Sequence, residues 1–483
     1  MKKLYILITS VILTSCSNNL EDLNKNIKDP STVSGESLFT GAQKALVDQM
    51  VDLSVNNNNT KLWAQYLQET TYTDESNYDQ VTRGIPSTHF AFLYRDIIKD
   101  LEEAKTIIEA TEYSLPDDID AKVNKLQIIE LLEVYTYANL VETFGDVPYS
   151  EAINDDIFLP VYDDAETIYK DLIDRLTVAI DLFDTSSESF GVADNIYGGD
   201  AELWKKFGAS LKLRMGVLLS DVDPAFAQST VEEAYISGVF TSNSDNANFT
   251  YFSGSPNFNP IYDNVVLSGR DDFVAGETIV NLMNAFKDPR LPLFFTEVDG
   301  GGYLGGTIGA NSSYSSFSHL SAVFESPTLP GNIFDYAEVQ FLLAESAARG
   351  FNVGGSAKDY YEAGIEASIL DWGGTFEDYT NYITQSNVDY DSALALSSAA
   401  TPWKEVIGNQ KWIALFNRGF EAWTSIRLLD YPIMAEPVDA VSGYPARYTY
   451  PVTEQTLNGT NYNAASSAIG GDAAETKLFW DLN

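Results

Sequence analysis

The chain has 483 residues, with 29 Lys and Arg against 70 Asp and Glu, for a formal net charge of −41. A surface of that sign repels phosphate backbones and anionic headgroups, which argues against nucleic-acid partners. The acids are dispersed and 45% of residues are hydrophobic, so the chain is a folded one, and its two histidines and single cysteine leave little material for a disulfide framework, a thiolate metal site or a histidine triad.

In chain order, Lys2 and Lys3 precede an apolar stretch from Leu4 to Leu13 that ends in Leu13-Thr14-Ser15-Cys16. About ten apolar residues suit a signal peptide and are too few for a membrane span. A Leu shortly before a small residue and then Cys resembles the bacterial lipobox. Residues 1–15 are therefore expected to be removed and Cys16 to be acylated, each buried CH₂ contributing roughly 0.8 kcal/mol to anchoring. Losing Lys2 and Lys3 would take the charge from −41 to −43. Leu20-Glu21-Asp22 loosely resembles the acidic surface-export signal of Bacteroidetes lipoproteins. Residues 16–35 read as a polar tether, and 36–483 as one domain.

From residue 36 to about 240 the apolar period is helical. Leu93, Ile97, Leu101, Ala104 and Ile108 share one helix face. Leu126, Ile129, Leu132 and Thr136 begin another helix, running toward Gly145. A third is predicted over 165–183 and a fourth over 200–220, stopped by Asp221-Val222-Asp223-Pro224. Residues 240–332 are rich in Asn, Ser, Gly and Pro, with one short helix at about 275–287 ending in Asp288-Pro289-Arg290. Helix returns at Tyr336 to Arg349, Ala357 to Leu370 and near 409–428, and Tyr431 to Asn483 reads as loops with short strands. The predicted class is mostly α: tetratricopeptide-like helical hairpins over 36–240 and 333–430, a long irregular loop-rich insert, and a few short strands, with no strict 34-residue repeat.

Several of these segments carry a resemblance. Asp335 to Gly350 (DYAEVQFLLAESAARG), Gln410 to Phe416, Gly419 to Trp423 and Arg427 to Pro432 look like the signature helices of SusD/RagB-type nutrient-binding outer-membrane lipoproteins. Asn139 to Tyr149 and Ala201 to Met215 match in kind and order, and Asp288-Pro289-Arg290 with Tyr303-Leu304-Gly305 resembles the SusD-like type 2 subgroup. The resemblance implies a lid on a SusC-like TonB-dependent transporter, at the cell surface, that captures oligosaccharides or peptides and has no catalytic residues. One departure is Arg427-Leu-Leu-Asp, where a second Arg and a Gly are expected before Tyr431-Pro432; it puts the local turn in doubt.

Sugars stack their CH faces on aromatic rings while amides and carboxylates bond the hydroxyls. Trp204, Trp372, Trp412 and Trp423 fall in or beside scaffold segments, which favours packing roles. Trp63 lies on an amphipathic stretch one turn before Leu67, where a core role competes with a binding one. The polar loop Glu69 to Gln80 offers Tyr72, Asp74, Asn77 and Tyr78. The insert offers Tyr262, Arg270, Tyr303 and Tyr314, near Tyr251, Phe252, Asn257 and Phe317. The resemblance places ligand surfaces in these two regions. Tyrosine rather than tryptophan lining suits either an oligosaccharide or an extended peptide. The paired acids Asp155-Asp156, Asp163-Asp164 and Asp271-Asp272 are no argument for a hydrolase, because adjacency does not set a carboxylate separation across a bond. Gly300 to Gly306 lacks the Gly-Lys-Ser/Thr of a phosphate loop. The Asp/Asn-rich loops could hold a structural calcium ion, although no ligand spacing points to a site. No other cofactor is expected.

Overall fold

The computed structural model describes residues 33–482. The signal peptide, Cys16 and nearly all of the tether lie outside them. Helix α1 (Gly35–Val51) starts where the Ser34 hydroxyl accepts from the Ser37 amide at 3.2 Å. Helices α2 (Ile85–Phe92) and α3 (Lys99–Ala110) are joined without a break by a π-helical turn, Leu93–Ile98. All five apolar residues of the predicted stripe, Leu93 through Ile108, are buried. Next come α4 (Pro116–Phe144), α5 (Ala165–Leu182), α6 (Ala201–Leu218) and α7 (Pro224–Ser237). Asp164, Asp200 and Asp223 cap the last three. The Asp223-Pro224 pair thus starts a helix as well as following one, because proline at the first helical position gives up an amide that would be unpaired anyway.

Helix α8 (Glu277–Phe286) lies in the insert. After it come α9 (Tyr336–Ala348), α10 (Ala357–Asp371) and α11 (Phe376–Ile383). The helix expected near 409–428 is two, α12 (Pro402–Ala414) and α13 (Gly419–Leu429). The break falls where Asn417 takes a left-handed φ of 74°. Gly419 then presses on the chain at Thr60, where a Cβ would sit 2.3 Å from the threonine hydroxyl. At the far end of α13, Asp430 adopts φ 62° and caps the helix. The turn that the Arg427-Leu-Leu-Asp departure put in doubt therefore forms, with Asp430 in the left-handed position that suits glycine.

Consecutive helices pack as hairpins: α4 on α5, α6 on α7, and α9 on α10, with α6 and α12 both against α9. The fold is mostly helical, as expected. Strands were misplaced, however. Among the described residues 431–482 contain none, and helix α14 (Gly459–Ala468) forms there instead. The strands are β1 (Leu67–Glu69), β2 (Ala247–Phe249), β3 (Phe273–Ala275) and β4 (Gly331–Phe334). They pair antiparallel as β1 with β3 and β2 with β4. Three or four residues cannot display an alternating pattern, and their partners are remote in sequence, so local reading had nothing to find.

The insert is packed into the body. Ile279, Met283, Phe294, Phe295 and Phe324 share a core with Trp412 and Phe416, and the Phe294 and Phe416 rings stack at 4.1 Å. The Asp288-Pro289-Arg290 motif is the staple. Fully buried Arg290 donates twice to Asp288 (2.9 and 2.6 Å), to Ser368 on α10 (3.0 Å) and to Gln410 on α12 (2.9 Å), while Tyr382 on α11 donates to Asp288 (2.7 Å). A second buried network joins α6 to α9, where Arg214 grips Glu338 with two bonds of 2.8 Å and Arg418 adds a third of 2.7 Å.

Candidate functional site

The β1–β3 pairing brings the early loop and the insert together. Just past β1, Thr70 donates its amide to the Asp272 carbonyl (2.9 Å) and its hydroxyl to the Asp271 carbonyl (2.7 Å), and accepts from the Ser312 amide (3.1 Å). Loop 70–80 is then tied down from beneath. Asn77 donates to the carbonyls of Thr73 (2.8 Å) and Gly309 (2.9 Å) and accepts from the Asp439 amide (3.0 Å). The Trp63 indole donates to the Glu75 carbonyl at 3.2 Å. Tyr78 accepts from Gln65 at 3.1 Å, and burial pushes its phenol up to about 12. Below the loop Glu69 accepts from the Ser76 amide and hydroxyl (3.0 and 2.9 Å). Burial and then the adjoining Glu75 carboxyl raise its pKa, while Arg83 pairs with Glu75 at 2.6 Å.

These contacts correct three assignments. Trp63, Asn77 and Tyr78 are buried, so they shape the loop and offer no face to a ligand. Trp63 packs edge-on to Trp423 at 4.9 Å and against Tyr448. By contrast Tyr72 is 69% exposed and sits at φ 57°. A bulky residue in the left-handed region is strained, which marks a position held by its surroundings.

Around Tyr72 the structure gathers Arg270, which is exposed, lies within electrostatic reach of the tyrosine and pairs with Asp272 at 2.6 Å. Tyr314 stacks on His319, with centroids 4.3 Å apart and planes 12° from parallel. Burial and the nearby Asp271 raise the Tyr314 phenol. His319 was not among the predicted site residues, and only its place in the aromatic insert hinted at it. Asp74 is exposed on the same loop. Tyr262 is half-buried against Phe258 at 5.7 Å, and Tyr303 is half-buried on the insert core. Among the described residues no hydrogen bond or ring contact joins the side chain of either to the Tyr72–Tyr314 group.

Two aromatic surfaces, a guanidinium and several carboxylates on a solvent-facing rim can stack on a polar ligand and bond its hydroxyls. No group of three or more His, Cys, Asp or Glu among the described residues is placed to hold a metal ion, and no described helix is long and apolar enough to cross a membrane.

A helical-hairpin scaffold here carries exposed aromatic and polar side chains on loops, where functional groups concentrate. The chain belongs to the SusD-like family described as starch-binding and associating with the outer membrane, whose model matches residues 26–451. Solved structures agree. A chitin-binding protein is 25% identical, with 93% of this chain and 100% of that one covered and a TM-score of 0.80. A SusD homologue from Bacteroides thetaiotaomicron is 26% identical over 94% and 100%, with a TM-score of 0.76. A chitin-binding SusD homologue from Flavobacterium johnsoniae shares the fold at 23% identity over 92% and 98%, with a TM-score of 0.77. No curated protein matches the chain closely enough to count as a relative.

Proposed function

We propose that the chain is a cell-surface lipoprotein, held on the outer membrane by acylated Cys16, that captures oligosaccharides or polysaccharide and hands them to a SusC-like TonB-dependent transporter. The observation that carries the reading is exposed Tyr72 within electrostatic reach of Arg270, whose neighbour Asp271 lies near the Tyr314 ring stacked on His319. The chitin-binding structural relative supports a glycan ligand. Family members are binding proteins.

Affinity electrophoresis in gels containing laminarin, starch, xylan, mannan or alginate tests the ligand. Retardation in a neutral polysaccharide, without loss of polymer length, supports capture. An extended peptide held by backbone hydrogen bonds is the competing ligand; a co-purifying peptide mixture with no retardation in any glycan would replace the reading. Replacing Cys16 by Ser should move the protein from the membrane fraction to the soluble one, and co-purification with a TonB-dependent receptor tests the partner.

A further inference from the structure

The seven tryptophans divide by what their indoles do. Trp63, Trp204, Trp412, Trp423 and Trp480 are 0% exposed, and the first four donate their N–H to a protein acceptor. Trp372, at the end of α10, differs. It packs against Phe294 (4.9 Å), Phe324 and Phe416 (5.8 Å each) yet stays half-buried, and its N–H, like that of buried Trp480, finds no acceptor among the described residues. Trp403 is also half-buried, but it carries Arg349 at 5.2 Å.

Trp372 forms one wall of a cleft of about 190 Å³ between the β2–β4 ribbon and the α12–α13 break. That is below the ~300 Å³ of sites for drug-sized ligands, and leaves room for a single ring. The polar side chains around it are underused. Asn332 donates to Asn248 at 2.8 Å, and among the described residues the Asn248 NH₂ has no acceptor and the Asn332 carbonyl oxygen is buried without a partner. Asn417, held at φ 74°, makes no side-chain hydrogen bond among the described residues. Asp371 is exposed, with one oxygen accepting from Asn246 at 3.0 Å. Buried Arg418 is held by Asp335 and Glu338. An aromatic wall flanked by free amide donors and acceptors fits a hydroxyl-bearing ring. Asp335 and Asp371 outnumber Arg418, so an anionic ring would be repelled.

We infer that this cleft is a second saccharide subsite, separate from the Tyr72 rim, that stacks one neutral pyranose unit on Trp372. The inference rests on the glycan reading proposed above, and the experiment separates the two. The full mature chain is titrated calorimetrically with short oligosaccharides of whichever neutral polysaccharide retards it, with alginate oligosaccharide as the anionic control. Two classes of site are expected in the wild type. Trp372→Ala should weaken one class about tenfold and leave the other unchanged, and Tyr72→Ala should do the reverse. Because Trp372 also touches the core, Asn417→Ala and Asp371→Asn repeat the test at side chains outside it. Alginate should give no heat at the cleft. A single class of site that none of the Trp372, Asn417 and Asp371 variants changes overturns the second subsite while leaving glycan capture intact. If no neutral glycan binds the wild type, both readings fall together.

Discussion

Tyr72 and Trp63 are nine residues apart and do opposite work. The Tyr72 ring is largely in solvent and its backbone is strained, so truncation to Ala removes contact area from a ligand and little from the fold. Glycan affinity should fall about 5- to 30-fold, the ~1–2 kcal/mol of an aromatic contact residue, with an unchanged melting temperature. Affinity electrophoresis with parallel thermal melts reads both. Trp63→Ala should instead cost ~3–5 kcal/mol of stability, as large buried aromatics do; a loss of binding without a shift in melting would return Trp63 to the ligand surface. The region was legible in the sequence because tyrosines among Asp, Asn and Thr mark a wet loop. Which residues face outward was not. Trp63, Asn77 and Tyr78 are covered by Asp439, Val441, Tyr444 and Tyr448, from a segment more than 350 residues further on, whose return no local pattern announces.

At the scale of elements, hairpin helices such as α3 and α5 were readable because they bury one stripe at helical spacing, and the starts of α5, α6, α7, α9 and α10 were marked by Asp or Ser caps. The insert was only half readable, since its order comes from few, long-range bonds. Arg290 is the clearest of these: it joins the insert to α10 and α12 through Ser368 and Gln410, beside an Asp288 that also holds Tyr382 of α11. Arg290→Ala should leave Asp288 buried without its cation, held only by Tyr382 and a backbone amide, at a cost of ~3–5 kcal/mol, read as a lower urea midpoint. Asp430 gives a test of opposite sign. At φ 62° it bears the strain that a glycine would not, so Asp430→Gly should raise stability by up to about 1 kcal/mol. A loss of stability would mean that its carboxylate, near Lys404, matters more than its backbone.

For the whole molecule, the acidic excess and the buried carboxyls act on stability together, and they can be told apart. Burial pushes Glu142, which accepts from Tyr169 at 2.7 Å, up to about 7, and pushes Asp146 up to about 6. Both folded values exceed the unfolded ones near 4, so the folded state binds the extra protons. That contribution is complete below about pH 4 and is lost as pH rises through 6 and 7. Other carboxyls work the opposite way. Although burial opposes it, Arg175 holds Glu130 low and Arg214 holds Glu338 low, and their contribution fails only as pH drops below the ordinary carboxylate range. The melting temperature should therefore peak at about pH 5 to 6 and decline toward pH 8.5. The net charge of −41 adds surface repulsion on the same alkaline limb, but salt screens exposed charges within about 10 Å and hardly reaches a buried one. Added salt at pH 8 should thus recover only part of the loss. Glu142→Gln, which keeps an acceptor for Tyr169 and cannot ionise, should remove only its own share of the remainder, because Asp146, Glu133 and Glu69 are also raised by burial and titrate on the same limb. If salt alone restores the acidic-pH melting temperature, surface repulsion accounts for the whole slope and Glu142 does not titrate in the folded chain.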